Sequence, residues 1–158
     1  MSTRTEALYD VIRLVRPLYK VLEAAVQIEL AETGITLPQR AVLEQILDGG
    51  PLTVPAVGRR LILPRQFIQK TANELLDAGL LAKRENAAHK RSALLILTPA
   101  GLAAITGIKA REAAVMHPIA RALDKGDVET TRAILQEIIR AFRAHNADGK
   151  RQEEGDSA

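Results

Sequence analysis

The chain has 158 residues, 47% of them apolar and 26% charged, the balance of one soluble globular domain long enough to bury a core. It has no cysteine, which excludes disulfides, thiolate catalysis, cysteine-held zinc and thiol redox sensing. The net charge of +3 is unevenly placed: five Lys/Arg against seven Asp/Glu in residues 1–50, eight against three in 51–100, and nine against nine in 101–158, so the positive excess lies in the middle third.

The first twenty residues, MSTRTEALYDVIRLVRPLYK, hold no uninterrupted apolar stretch of signal-peptide kind, and nowhere do about 18 apolar residues run together. A cytoplasmic protein with no membrane partner is expected. From about Thr5 to Glu32, Leu8, Val11, Val15, Leu18, Leu22, Ala25 and Ile28 recur at spacings of three and four, as in an amphipathic helix. Pro17 predicts a kink there, or a short helix joined to a longer one. Thr36 and Gln39 have the spacing of a capping box, with Pro38 in the first turn, so a second helix begins near Leu37. Thr53 caps a third, short helix through VPAVGRRLIL, and Pro64 opens a fourth, stopped by Gly79. LLAKREN and SALLILT read as the strands of a hairpin. Thr98 and Pro99 restart helix as far as about Leu123, DKGD turns the chain, and a last helix carries Val128, Thr131, Leu135, Ile138 and Phe142 on one stripe. Residues 148–158 are polar and expected to be disordered.

Two short helices, a tight turn and a hairpin make a winged helix-turn-helix, whose second helix enters the DNA major groove. At about 100° per residue, Ile68, Thr71, Ala72, Leu75 and Leu76 share one side of that helix, and Gln66, Lys70, Asn73 and Asp77 the other, with Gln69 at the flank. Amides donate and accept together at an adenine edge, and Lys reaches guanine or phosphate. Arg59, Arg60 and Arg65 lie nearby in sequence, and Lys90 and Arg91 stand at the hairpin tip, placed to lie along the phosphate backbone or enter the adjacent minor groove. The rival classes are weaker. His89, His117 and His145 form no metal-ligand pattern, and the chain has neither a Gly-rich phosphate loop nor a nucleophile elbow, so no catalytic residue, metal or cofactor is expected. A winged module that has lost DNA binding and reads protein instead would show an apolar or acidic patch where these amides and bases stand.

The succession LTVPAVGRRL, QKTANELLDAGLLAKREN, HKRSALLILTPAG resembles the MarR family of bacterial transcriptional regulators, in motif detail from about Thr36 to Gly101. Family members commonly carry in the wing an Asp, a basic residue, Arg and a small residue, then Leu-Thr and often Pro-x-Gly. Here Lys90, Arg91 and Ser92 fill the last three wing positions and LTPAG is Leu97 to Gly101, while His89 stands where the Asp would be. The fold class implied is mainly α with a small β-hairpin wing: one domain over residues 1–147, with 36–98 the DNA-binding winged helix-turn-helix and 1–35 and 99–147 dimerisation helices. The resemblance further implies a homodimer on a roughly palindromic stretch of double-stranded DNA, and a repressor released by a small aromatic or phenolic ligand. DNA contacts are expected from Arg65, Gln66, Gln69, Lys70 and Asn73 on the recognition helix, from His89, Lys90, Arg91 and Ser92 on the wing, and from Arg59 and Arg60 in support. Tyr9, Arg13, Arg16 and Tyr19 are the first-helix residues available to line a ligand cleft.

Overall fold

A computed structural model of the chain describes residues 3–87 and 92–155, with side chains to residue 148. It contains helices α1 (Thr3–Leu30), α2 (Leu37–Gly49), α3 (Val54–Leu61) and α4 (Arg65–Asp77), strands β1 (Leu81–Arg84) and β2 (Leu94–Leu97), and helices α5 (Pro99–Arg121) and α6 (Lys125–Gly155). The expected class, mainly α with a two-stranded hairpin, is the one observed. The chain divides into two units, residues 1–113 and 114–158.

In the first unit α2 and α3 start where their capping chemistry stands. The Thr36 hydroxyl accepts from the Gln39 amide while the Gln39 side chain accepts from the Thr36 amide, and the Thr53 hydroxyl accepts from the Ala56 amide. The apolar faces of α2, α3 and α4 then meet around Val42, Leu43, Ile46, Val57, Ile68 and Leu75, all buried. Ile105 and Ile108 of α5 belong to the same core. Side-chain burial of this kind stabilises by about 1.5–3 kcal/mol per large residue.

The hairpin closes that core. β1 and β2 pair antiparallel in the register Leu81 with Leu97 to Arg84 with Leu94, placing Leu81 and Leu95 inward. Leu52, just ahead of α3, adds a one-residue bridge to Leu95, with the two backbones exchanging hydrogen bonds of 3.2 and 2.8 Å. At the hairpin's base the Thr98 hydroxyl donates to the Gly79 carbonyl at 2.7 Å, with that of Leu80 at 3.2 Å, and its oxygen accepts from the Gly101 amide at 3.0 Å. Gly101 lies so close to this strand that a Cβ there would stand 1.9 Å from the Leu80 carbonyl oxygen. The Leu-Thr-Pro-Ala-Gly run is thus a joint: threonine caps α5 and grips the turn just ahead of β1, and glycine lets the two backbones touch.

Two expectations are corrected. Pro17 does not divide α1, which runs unbroken through it. The residue is exposed, so the carbonyl that loses its helical donor is open to water, and the flanking residues hold the helix together. The polar end expected to be disordered from residue 148 is helical as far as Gly155. Lys150, Arg151, Gln152, Glu153 and Glu154 are all good helix formers, and their propensity outweighs the lack of apolar residues.

In the second unit α6 begins at a side-chain cap, the Asp124 carboxylate accepting from the Asp127 amide at 3.1 Å. Leu135 and Ile138 are half-buried there, whereas Val128, Ile134, Ile139 and Phe142 are exposed. No described side chain of this unit is buried.

Candidate nucleic-acid interface

α4 is positioned by close approach rather than by a side-chain cap. Gly58 in α3 is buried, and a Cβ there would sit 3.1 Å from the Leu63 carbonyl oxygen, so glycine lets the turn fold tightly back on α3. The turn passes through Ile62, a β-branched residue in the left-handed region (φ 57°, ψ 43°), a conformation that costs an L-residue about 1–2 kcal/mol. α4 then starts after Pro64 with no side-chain hydrogen bond to its free amides.

Once placed, α4 shows the two faces expected of it. Ile68, Thr71, Ala72 and Leu75 are buried, and Leu76 is half-buried at their edge. The Thr71 hydroxyl is satisfied by donating to the Phe67 carbonyl one turn back, at 3.0 Å. On the outer face Arg65, Gln66, Lys70, Asn73 and Asp77 are exposed, and Gln69 is half-buried at the flank, donating to the Asn73 side-chain oxygen at 3.0 Å. The first half of this face is cationic and amide-bearing, and Glu74 and Asp77 follow in the second half. Glu74 accepts from Gln39 at 3.1 Å, tying the helix to the start of α2.

The hairpin flanks the same face. A shallow depression is lined by Arg65 and Gln69 of α4, Val54 and Pro55 of α3, and Lys83, Ser92 and Ala93 of the hairpin. Ser92 is therefore brought beside α4. His89, Lys90 and Arg91 lie outside the described residues. Nothing in the sequence marks Lys83: two residues after inward-facing Leu81 and opposite inward-facing Leu95, alternation puts it on the core side of the strand, and only the structure shows it exposed at the edge of that face, beside Arg65 and Gln69 of α4.

The two arginines of α3 separate. Both are exposed, but the Arg60 guanidinium lies across the end of α2, directed at the Gln45 carbonyl at 3.5 Å and occupying the space that a side chain at Gly49 would need. A cation at a helix C-terminus is favoured by the unpaired carbonyls there, so Arg60 serves the scaffold in this arrangement. The α1 residues Tyr9, Arg13, Arg16 and Tyr19 are all exposed, with Arg13 paired to Asp10 at 3.0 Å and Tyr19 donating to Glu23 at 3.3 Å.

Sequence reasoning missed the polar cluster joining α2 to α5. Arg40 donates to both oxygens of Glu112, at 2.5 and 2.6 Å, and to both oxygens of Glu44, at 2.8 and 3.2 Å, and Lys109 donates to Glu44 at 3.0 Å. The hydrogen bond to Glu112 is the main cause of a raised Arg40 pKa. Burial pushes the Glu44 carboxyl up, but hydrogen bonds from Lys109 and Arg40 outweigh this and hold it below the ordinary carboxylate value. Only the spacing of Arg40 and Glu44 was visible in the sequence.

Among the described residues no group of His, Asp or Glu is arranged to hold a metal ion, and no helix is long and apolar enough to cross a membrane. A family model described as MarR family matches residues 33–92, from the turn before α2 to the hairpin. The crystal structure of a MarR family transcription regulator superposes with a TM-score of 0.75 at 32% identity, covering 89% of this chain and 93% of that one. The chain belongs to the MarR family. Another similar protein is the uncharacterized Rv2011c of Mycobacterium tuberculosis, 33% identical over 138 residues, which are 85% of this chain and 96% of the relative. The MarR fold is shared at lower identity by Staphylococcus aureus MarR, determined in complex with salicylate and kanamycin (TM-score 0.75, 16% identity, 87% of this chain and 93% of that one). Its winged helix-turn-helix, the fold of MarR transcription regulators, is the region where α4 and the hairpin stand side by side.

Proposed function

We propose that this MarR family member is a homodimeric, non-enzymatic regulator that binds double-stranded DNA sequence-specifically and represses transcription until a small aromatic or phenolic ligand releases it. The observation that carries the reading is the outer face of α4, where Arg65, Gln66, Gln69, Lys70 and Asn73 are grouped, with Arg65 and Gln69 beside the hairpin. Amides and cations projecting from a helix of groove-filling width are the chemistry that reads base edges, and Lys83 with the wing residues His89, Lys90, Arg91 and Ser92 supplies phosphate contacts alongside.

Dimerisation is supported by what the single chain leaves uncovered. Leu8, Val11, Val15, Leu18 and Leu22 form one stripe of α1, all 40–52% exposed, and Phe142 of α6 is 51% exposed. A second copy related by a two-fold axis would cover such stripes and present two recognition helices to a roughly palindromic site. Residues 1–35 and 99–147 serve as dimerisation helices around the 36–98 reading head in this scheme. The ligand reading rests on the salicylate held by Staphylococcus aureus MarR, and release requires a ligand that binds the DNA-incompetent arrangement more tightly.

The test is fluorescence anisotropy of the full chain against the intergenic DNA beside its own gene and a shuffled duplex of equal length, at several salt concentrations. Preference for the native duplex, with a salt slope of several phosphate contacts, is expected. Equal, weak binding to both duplexes, followed by a random-sequence selection that enriches nothing, would leave a winged module that reads protein instead.

A further inference from the structure

The chain is poor in aromatic residues, with two Phe and two Tyr in all, yet one of them is spent on the outside of the recognition helix. Phe67 lies in the first turn of α4 and is 42% exposed. It flanks the amide-bearing face opposite Arg65 and Gln69: at about 100° per residue Phe67 stands ~60° round from Lys70, and the arc from Gln69 through Asn73, Gln66 and Lys70 to Phe67 spans ~160°. The major groove is about 12 Å wide, close to the ~10–12 Å diameter of a helix with its side chains, so residues at both ends of that arc meet base edges when the helix is seated. First-turn residues of a recognition helix are the ones that reach deepest. Resting on the DNA-binding reading above, we infer that Phe67 is a specificity-determining residue that reads the 5-methyl group of thymine.

The chemistry selects that partner. A phenyl ring has no hydrogen-bonding group, so it distinguishes base pairs only through the one apolar group the major groove offers, the thymine methyl. Glu74 lies two turns further along the same flank, and its carboxylate would repel phosphate, leaving base edges as the favourable neighbour for that side of the helix. The amides Gln66 and Asn73 suit adenine, so a methyl-reading ring beside them describes an A·T-containing half-site read on both strands.

The experiment uses the full chain and the duplex it enriches from random-sequence DNA. That duplex is resynthesised with deoxyuridine replacing thymine at one symmetric pair of positions at a time, which deletes only the methyl groups. For the wild type, one such pair is expected to weaken binding by about fourfold per methyl, the loss that one buried carbon predicts. Phe67→Ala should bind thymine and deoxyuridine duplexes alike at that pair, and Phe67→Leu should retain part of the difference. Wild-type binding indifferent to every deoxyuridine replacement would overturn the inference while leaving DNA binding intact, as would Phe67→Ala with undiminished sensitivity at the same pair. A selection that enriches no sequence removes the DNA-binding reading itself, and this inference with it. The wild-type arm needs no variant, so the test survives a poorly folded Phe67→Ala.

Discussion

The reading head and the terminal helices solve the burial problem differently. In residues 36–113 the apolar stripes of α2, α3, α4, the hairpin and the start of α5 bury one another, and Val42, Leu43, Val57, Ile68, Leu75 and Ile105 are fully enclosed. α1 buries only Leu30, with Val26 packed against the core, and Ile35 follows it, whereas Leu14, Val15, Leu18, Tyr19 and Val21 remain half or more exposed. Residues 114–148 bury nothing completely. An amphipathic helix takes most of its stability from what its apolar face touches. The head therefore encloses its own core within one chain, whereas the long helices leave apolar faces open, the faces that the proposed dimer would cover.

The sharpest way to break that contrast is Leu18→Glu. In a two-fold interface the change occurs twice, so about 4 kcal/mol of association should be lost, and sedimentation equilibrium should show a dimer becoming a monomer. A dimer of unchanged affinity would mean that α1 is covered in some other way. Next in size is Gly101→Val, where the new side chain meets the Leu80 carbonyl. A loss of about 3 kcal/mol in urea unfolding is expected, independent of protein concentration because the damage lies inside the head.

Arg40→Met should cost about 2 kcal/mol, since it leaves Glu44 and Glu112 partly buried without their guanidinium. The same cluster predicts a pH dependence. Glu44 titrates lower in the folded chain than in the unfolded one, so its contribution is complete above the ordinary carboxylate range and is lost as pH falls through the lowered value. Thermal melts of Glu44→Gln should accordingly show a flatter acid limb than the wild type. The smallest effect is expected at Ile62, where glycine removes the left-handed penalty but adds chain entropy, for a net gain of about 0.5 kcal/mol. A loss on Ile62→Gly would show that its exposed side chain is held by contacts of its own.

What was legible in the sequence follows the range of the forces involved. Thr36, Gln39 and Thr53 cap their own helices, so local spacing located them, and the two faces of α4 follow from helical geometry alone. The Arg40–Glu112 pair joins residues far apart in sequence, and no periodicity reports it. Adjacent Arg59 and Arg60 look alike in a string, and only the approach of α3 to the end of α2 sends one of them to the Gln45 carbonyl. Pro17 does not split α1 in two because a proline's local cost is outweighed by the twenty-seven other residues of the helix around it. Phe67 stayed hidden because an aromatic one step from a buried stripe reads as part of that stripe.

The joint at Thr98 has a dynamic consequence. Its amide donates to the Leu80 carbonyl, its hydroxyl bridges the same strand, and its own carbonyl accepts from Leu102 in the first turn of α5. Hairpin base and helix start therefore open as one cooperative unit, with no loose hinge between them. In hydrogen exchange the amides of Thr98, Gly101 and Leu102 should lose protection together and only with the opening of the whole head. The start of α5 and the base of the hairpin are thus one piece, held together by direct hydrogen bonds.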